Sequence, residues 1–149
     1  MKVKTLIASL FQYSNPFEIL LSGLRGKEPE HLVLPNGIQI YSPPKNDTLT
    51  MVKDIFFAST YTPPDLPIEK NDSVVDIGAN IGIFSLFAAG KTENRVFAFE
   101  ASPDNYEFLC RNIRSNVFKQ IQAYSTAVCD HCGPVTLYLA RKSGGNNIV

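Results

Sequence analysis

The sequence predicts an α/β fold in which helices cover a parallel sheet. Three short segments with β-branched or alternating apolar residues, 73–77, 95–100 and 121–128, follow one another in the second half of the chain. Helical spacing of apolar residues lies between them, at 81–89 and in a segment that begins at Pro103. The resulting order β-α-β-α-β is the unit from which parallel sheets are built.

The sequence also marks the boundaries of the two helices. Gly90 ends the first, while Ser102 suits the N-cap and Pro103 the first position of the second. Four apolar residues of the second helix recur at i, i+3, i+4 and i+7, namely Tyr106, Leu109, Cys110 and Ile113. A further strand is predicted at 135–140, because glycine-containing turns lie on both sides of it.

The first 70 residues are predicted to form a separate lead-in region. Eight of the ten prolines lie in the first 67 residues. We expect a helix over 16–24 that begins at a proline. A β-hairpin should follow, because Asn36-Gly37 joins two apolar runs, 31–34 and 38–41.

Two further helices are expected in the lead-in region. One is a short amphipathic helix near 6–11, which is far below the ~20 apolar residues of a membrane span. Asp47 is the candidate N-cap of the other, which passes through Met51, Ile55 and Phe56.

The amino-acid composition is typical of a globular protein. Of 149 residues, 44% are apolar, which is enough for a core and excludes a disordered protein. Fourteen basic and fourteen acidic residues give a net charge of zero, which argues against electrostatic binding to nucleic acid or anionic membrane. Three cysteines do not make a disulfide scaffold, so a reducing, cytoplasmic location is expected.

The turn after the first strand carries the chemistry. It reads Asp-Ile-Gly-Ala-Asn-Ile-Gly over 76–82, at the carboxyl end of a strand, where open α/β sheets bind ligands. Glycine and asparagine tolerate a left-handed backbone, and glycine lets a ligand approach closely. Only Gly78 fits the dinucleotide pattern G-x-G-x-x-G, and no P-loop Gly-Lys-Ser/Thr follows. The Asp76 carboxylate suits a ligand with positive charge and no phosphate, such as S-adenosylmethionine.

A second acid, Glu100, ends the second predicted strand. A carboxylate there is placed to accept hydrogen bonds from both hydroxyls of a ribose, as in dinucleotide sites. The alternative is that Glu100 only caps the positive end of the following helix. Together, the glycine turn and Glu100 predict a site for a nucleoside cofactor.

Two motifs of the chain resemble those of the FkbM family of S-adenosylmethionine-dependent methyltransferases. The first is Val-Val-Asp-Ile-Gly-Ala-Asn-Ile-Gly-Ile-Phe-Ser-Leu at 74–86, and the second is Val-Phe-Ala-Phe-Glu-Ala-Ser-Pro-Asp-Asn-Tyr-Glu-Phe-Leu at 96–109. The similarity covers about residues 60–149. It implies a Rossmann-like class I methyltransferase fold, present as its first βαβαβ half plus an extra strand. It also implies O-methylation of a hydroxyl on a sugar or natural product, with a small-molecule or glycan acceptor.

The same resemblance assigns residues to the cofactor. Residues of the glycine turn would line its methionine part, namely Asp76, Gly78, Ala79, Asn80 and Gly82. Glu100 would hold the ribose, and Ala101, Ser102 and Ala127 would lie beside the adenine.

Two other functions stay open. Phe99-Glu100, Pro103 and the segment 111–116 also resemble tRNA guanine methyltransferases. The neutral charge and the lack of an evident basic or aromatic platform argue against a nucleic-acid partner, and Arg111 is more simply part of a solvated helix face. A catalytically inert α/β fragment is the remaining alternative.

The sequence predicts neither a catalytic base nor a metal site. His31 lies among apolar hairpin residues, and His131 follows the third strand, from which it could approach the site. The segment Cys129-Asp130-His131-Cys132 lacks the second ligand pair of a closed zinc site. A thioredoxin-like Cys-x-x-Cys would open a helix instead of following a strand.

The length of 149 residues fits one small domain, but the motifs predict a larger one. Residues 1–70 are the lead-in region, and 71–149 are the cofactor-binding half of a methyltransferase domain. We expect the C-terminal half to be missing from this chain. The first strand would then be an exposed apolar edge of the sheet.

Overall fold

The structure, a computed structural model, describes residues 12–44, 46–138 and 147–148. The helix predicted near 6–11 lies outside these residues. In the part that is described, no helix combines the length and the apolar composition needed to cross a bilayer.

The lead-in region contains the predicted first helix and hairpin. Helix α1 spans Pro16–Leu24, with its proline in the first turn. Strands β1 (His31–Val33) and β2 (Gln39–Tyr41) pair antiparallel. Gly37 has a φ of +83°, which the tight turn requires and glycine supplies without strain. Both predictions are confirmed.

The second lead-in helix differs from its prediction. Helix α2 covers only Thr48–Val52 and continues as a π-helical turn, Lys53–Phe57. Asp47 occupies the predicted N-cap position, but its side chain makes no capping hydrogen bond. Burial raises the pKa of Glu28 above its usual value, and the Leu49 backbone in the first turn of α2 opposes this rise.

The predicted parallel βαβαβ unit is confirmed. Strands β3 (Val74–Ile77), β4 (Val96–Phe99) and β5 (Ile121–Tyr124) are parallel and lie in the order β3-β4-β5. Helix α3 (Ile83–Ala89) connects the first two strands, and helix α4 (Pro103–Arg114) connects the last two.

Two boundaries of this unit differ from the predictions. Strand β5 ends at Tyr124 and not at 128, because β4 ends at Phe99 and leaves no partner beyond it. The Tyr124 carbonyl accepts a hydrogen bond from the Glu100 N–H at 3.0 Å. Helix α3 begins at Ile83 and not at 81, because Gly82 has a left-handed backbone with φ +87°.

A short hairpin follows the sheet. Strand β6 (Leu137–Tyr138) pairs antiparallel with β7 (Asn147–Ile148). It lies within the strand predicted at 135–140, whose last two residues are outside the described part of the chain.

The two faces of the parallel sheet have different surroundings. One face packs on α3 and α4, and its Val96 and Ala98 are fully buried. The other face is open in the described part of the chain, where Val75 and Ile77 are 57% and 62% exposed. Strand β3 also forms one edge of the sheet, as the sequence predicted.

The lead-in region and the α/β unit share one hydrophobic core. Its buried members include Leu32 and Ile40 of the hairpin, Val52 of α2 and Leu86 of α3. Across this contact, Phe56 of the π-helical turn meets Phe87 edge to face at 5.3 Å. The lead-in region is therefore held in a fixed position beside the glycine turn.

Candidate functional site

The glycine turn, residues 76–82, has an unusual backbone. Gly78, Asn80 and Gly82 all adopt positive φ values, of 74°, 52° and 87°. The N–H groups of Gly78 and Ala79 both donate to the Phe99 carbonyl at 2.9 Å. The turn is thereby fixed against the end of β4, where the second acid lies.

Gly82 is required for a second reason. A Cβ atom at this position would lie 2.6 Å from Cδ1 of Leu109 on α4. The missing side chain thus allows α4 to pack directly on the start of α3. Any other residue at position 82 would have a strained backbone, and its Cβ would force Leu109 to move.

Glu100 connects the turn to helix α4. It is 7% exposed, and its Oε2 accepts the Asn80 N–H while its Oε1 accepts the Ser102 N–H, both at 2.8 Å. Ser102 occupies the N-cap position, but its hydroxyl makes no capping hydrogen bond. Each carboxylate oxygen can accept a further hydrogen bond, so the group remains able to bind ligand hydroxyls.

A cavity of about 270 Å³ opens at the carboxyl ends of β3 and β4, and we name it the strand-end cavity. Five predicted site residues line it, namely Gly78, Asn80, Glu100, Ala101 and Ala127. The sequence did not point to Phe99, Asn105 and Leu137, which also line it. Asn105 could have been predicted, because it lies in the first turn of α4, only five residues after Glu100.

A second cavity, of about 290 Å³, lies on the other side of the turn, and we name it the lead-in cavity. It shares Gly78 and Asn80 with the strand-end cavity, so the two adjoin along the turn. Asp76 and Ala79, both predicted site residues, line this second cavity. The lead-in region and α3 supply an apolar wall that consists mainly of Met51, Ile55, Tyr61 and Phe84.

Asp76 is buried in the lead-in cavity. It is 8% exposed, and its Oδ2 accepts a hydrogen bond from the Ser85 hydroxyl at 2.5 Å. Burial raises the pKa of Asp76 above its usual value. The hydrogen bond from Ser85 opposes this rise in pKa, and the negative charge of Glu100 adds to it.

The side chain of Asn80 has one satisfied end and one unsatisfied end. Its Nδ2 donates to Sδ of Met51 at 3.9 Å. Its Oδ1 is buried and has no hydrogen-bond partner among the described residues. A buried acceptor without a donor costs free energy, which a ligand with N–H groups or positive charge would recover.

Other predicted residues lie elsewhere. Gly82 and Ser102 line neither cavity and support the turn and the start of α4. His31 stacks on Tyr41 with a centroid distance of 4.4 Å, and His131 is hydrogen-bonded to its neighbour Asp130. No described histidine therefore reaches either cavity, and the structure assigns no catalytic base.

The cysteine-rich turn carries no metal-ligand cluster. Cys129 and Cys132 are exposed and free, and Cys110 is partly buried. No group of three or more metal-ligating side chains occurs in the part of the chain that the structure describes.

A parallel βαβαβ unit with a glycine turn after its first strand and an acid after its second defines a Rossmann-like domain for a nucleoside cofactor. Residues 66–133 match the family model of the TRM5/TYW2 methyltransferase domain. The methyltransferase sdnD of Sordaria araneosa is 30% identical over 121 residues, which cover 79% of this chain and 46% of that protein. The 31-O-demethyl-FK506 methyltransferase FkbM of Streptomyces tacrolimicus is 33% identical over 109 residues, or 70% and 40% of the two chains.

A solved structure, P. horikoshii TYW2 in complex with MeSAdo, is 22% identical and covers 83% of this chain and 52% of that one, with a TM-score of 0.48. The chain spans less than half the length of the two curated relatives named above. The matches agree on the class, which is that of S-adenosylmethionine-dependent methyltransferases. They do not single out the FkbM family, because the matching family model is the TRM5/TYW2 one.

Proposed function

We propose that this chain binds S-adenosylmethionine across the glycine turn and serves methyl transfer to a hydroxyl of a small molecule or glycan. The observation that carries the proposal is the pair of cavities on the two sides of the turn. Glu100 lines the strand-end cavity, Asp76 lines the lead-in cavity, and Asn80, whose Oδ1 has no partner among the described residues, lines both.

The strand-end cavity suits the nucleoside. The free lone pairs of Glu100 can accept hydrogen bonds from the two ribose hydroxyls. The small side chains of Ala101 and Ala127 leave room for a flat base, and Asn105 offers an amide to its edge. Gly82 and Ser102 contribute to the same site by supporting its backbone and not by contact.

The lead-in cavity suits the methionine part of the cofactor. Asn80 Oδ1 and the Asp76 carboxylate can accept hydrogen bonds from an ammonium group. Tyr61 and Phe84, whose ring centroids are 5.6 Å apart, add aromatic rings that favour positive charge. When bound, S-adenosylmethionine supplies a methyl group on a positively charged sulfur.

The chain's own contribution to the reaction is orientation. Holding the two reactants in line can supply ~7–11 kcal/mol of a displacement barrier. The structure meets this need with a turn whose Gly78, Ala79 and Asn80 N–H groups are hydrogen-bonded to Phe99 and Glu100. The described residues provide no base, so the proposal assigns none.

The lining of the lead-in cavity favours a neutral acceptor. Met51, Ile55 and Tyr61 form an apolar wall, and the ionisable residue most deeply buried beside them is the acid Asp76. No lysine or arginine occurs among the described residues that line either cavity. A polyanion such as RNA would therefore meet acids and apolar surface instead of cations.

Transfer to tRNA is the second candidate function. It is supported by the match of residues 66–133 to the TRM5/TYW2 methyltransferase domain. Against it, Arg111 packs on Tyr41 at 3.8 Å from the ring centroid, and His31 stacks on the same ring. The Tyr41 ring is thus engaged within the protein and is not free to stack on a base.

The tests are cofactor binding and transfer of a labelled methyl group. Calorimetry of the full chain with S-adenosylmethionine should give saturable binding that Glu100→Ala abolishes or weakens strongly. Glu107→Ala, which removes an exposed acid of α4, is the matched control and should bind normally. Absence of binding by the folded wild-type chain at millimolar cofactor would overturn the proposal.

The acceptor is tested separately. The full chain is incubated with methyl-labelled cofactor and either hydroxylated small molecules and glycans or tRNA transcripts. Label in the hydroxyl compounds supports the first candidate, and label in tRNA alone replaces it with the second.

We also propose the division of the chain into a lead-in region, 1–70, and a cofactor-binding part from 71 onward. The free state of the described cysteines fits the reducing, cytoplasmic location expected from the sequence. Localisation of the tagged full chain by microscopy tests that location.

A further inference from the structure

Two asparagines, one in the last turn of α4 and one two residues beyond its end, bind the outer edge of the lead-in hairpin. Asn112 accepts the Tyr41 N–H at 2.7 Å and donates to the Tyr41 carbonyl at 2.9 Å. Asn116 accepts the Gln39 N–H at 2.9 Å and donates to the Gln39 carbonyl at 2.8 Å. Each carboxamide thus makes the two hydrogen bonds that the backbone of a neighbouring strand would make.

The spacing of these residues explains the fit. Residues four apart on a helix are separated by ~6.0 Å along its axis. Alternate residues of a strand are separated by ~6.6 Å, which is nearly the same distance. Asn116 lies two residues past the end of α4, but its Nδ2 also donates to the Asn112 carbonyl at 2.7 Å, which keeps the two asparagines about one turn apart. They can therefore pair with strand residues 41 and 39, more than 70 positions earlier in the chain.

Asn112 makes a third contact that Asn116 lacks. Its Nδ2 also donates to the Ile81 carbonyl at 2.8 Å, in the middle of the glycine turn. Asn112 and Ile81 are both fully buried, so no water is available to replace this bond. Ile81 lies between Asn80 and Gly82, the two turn residues with left-handed backbone next to α3.

We propose that Asn112 is a positioning residue for the cofactor site, which acts by holding the glycine turn in its binding conformation. The Ile81 bond fixes the peptide between Ile81 and Gly82, one peptide beyond Asn80, whose N–H binds Glu100 and which lines the lead-in cavity. Because the same side chain binds Tyr41, the position of the turn depends on the docking of the lead-in hairpin. The identity of the ligand in this inference rests on the proposed function. The role of Asn112 in holding the turn rests on the hydrogen-bond geometry alone.

The chain supplies its own matched control. Asn112→Ala and Asn116→Ala each remove two hydrogen bonds to the hairpin, but only the first frees the glycine turn. We expect Asn112→Ala to weaken binding of S-adenosylhomocysteine by about tenfold or more, and Asn116→Ala by less than about threefold. Calorimetry on the folded full chain measures both affinities. If a variant is too unstable to fold, all proteins are measured in trimethylamine N-oxide, which stabilises folded states. Equal losses in the two variants would overturn the proposal.

A second measurement does not depend on the cofactor. Amide hydrogen exchange of ligand-free protein should show faster exchange at Asn80 and Gly82 in Asn112→Ala than in Asn116→Ala. Unchanged exchange at these amides contradicts the positioning role. If the wild type does not bind S-adenosylhomocysteine, the proposed function fails, and the exchange experiment still decides the role of Asn112.

Discussion

The two cavities beside the glycine turn are built from different parts of the chain. The strand-end cavity is formed by residues 77–137, all from the α/β unit and the segment after it. The lead-in cavity needs the same turn together with Met51, Ile55 and Tyr61, which precede it by 15 to 30 residues. The proposed nucleoside end of the site is thus a property of the fold, whereas the other end depends on what the lead-in region places against it.

Two ligands separate the two ends experimentally. S-adenosylhomocysteine should occupy both cavities, and 5′-methylthioadenosine, which lacks the amino acid, only the strand-end cavity. The ratio of their affinities therefore reports on the lead-in cavity alone. Each of the first three predictions is a change in one or both of these affinities.

The largest effect is expected for Glu100→Ala. This variant removes the acceptor for the ribose and the partner of the Asn80 and Ser102 N–H groups. Both ligands should bind about 100-fold more weakly, since hydrogen bonds to a charged group contribute ~1.5–3 kcal/mol each. Calorimetry with each ligand measures the change. A loss confined to S-adenosylhomocysteine would contradict the assignment of the nucleoside to this cavity.

Asp76→Asn should affect one ligand only. It removes the negative charge in the lead-in cavity and keeps an oxygen for the Ser85 hydroxyl. We expect about a tenfold loss for S-adenosylhomocysteine, consistent with the loss of one charge-assisted hydrogen bond, and no loss for 5′-methylthioadenosine. Asp65→Asn, at an exposed acid, is the control. Equal losses for the two ligands would mean that Asp76 acts on the turn and not on the methionine part.

Tyr61→Ala tests the wall that the lead-in region supplies. The ring packs on Phe84 at the rim of the cavity and is largely exposed. Its removal should weaken S-adenosylhomocysteine by about two- to threefold, because an exposed aromatic contact contributes ~0.5–1 kcal/mol. Tyr61→Phe keeps the ring and should bind as the wild type does. If both variants lose affinity equally, the hydroxyl and not the ring is responsible.

The last effect concerns stability and not affinity. Because the folded-state pKa of Asp76 is raised above its ordinary value of 3.8, the folded protein binds its proton more tightly than the unfolded chain. The contribution of this group to stability is therefore fully present below pH 3.8 and is lost as the pH rises through the folded-state pKa. Asp76→Asn lacks this dependence and should be about 1 kcal/mol more stable than the wild type at neutral pH.

Urea unfolding of both proteins at a series of pH values measures this difference. It should shrink as the pH falls towards 3.8 and the Asp76 carboxyl becomes protonated. A difference that stays constant over this range would show that Asp76 is not the group responsible.

The strand-end cavity could be predicted from the sequence because its residues are local. A β-branched strand followed by Gly78 and Asn80, with Glu100 one strand later, places three cavity-lining residues at one edge of a parallel sheet. The hairpin was equally predictable, because Asn36-Gly37 specifies its turn.

The lead-in cavity could not be predicted, because its wall depends on contacts between distant residues. The change from α-helix to π-helical turn after Val52 has no sequence signal of its own. The Glu28 carboxylate is influenced by the Leu49 backbone of α2, and the hairpin is docked by Asn112 and Asn116. In each case, the interaction joins residues far apart in the chain, which local patterns leave undetermined.

The open face of the parallel sheet has a consequence for the behaviour of this chain in solution. Val75, Ile77 and Tyr124 present apolar surface there, and β3 has no partner strand on its outer side in the described part of the chain. Contact between such surfaces is driven by the entropy of released water near room temperature, so it strengthens on warming and weakens on cooling. Concentrated samples should therefore scatter more light at 37 °C than at about 5 °C, and the change should reverse on chilling.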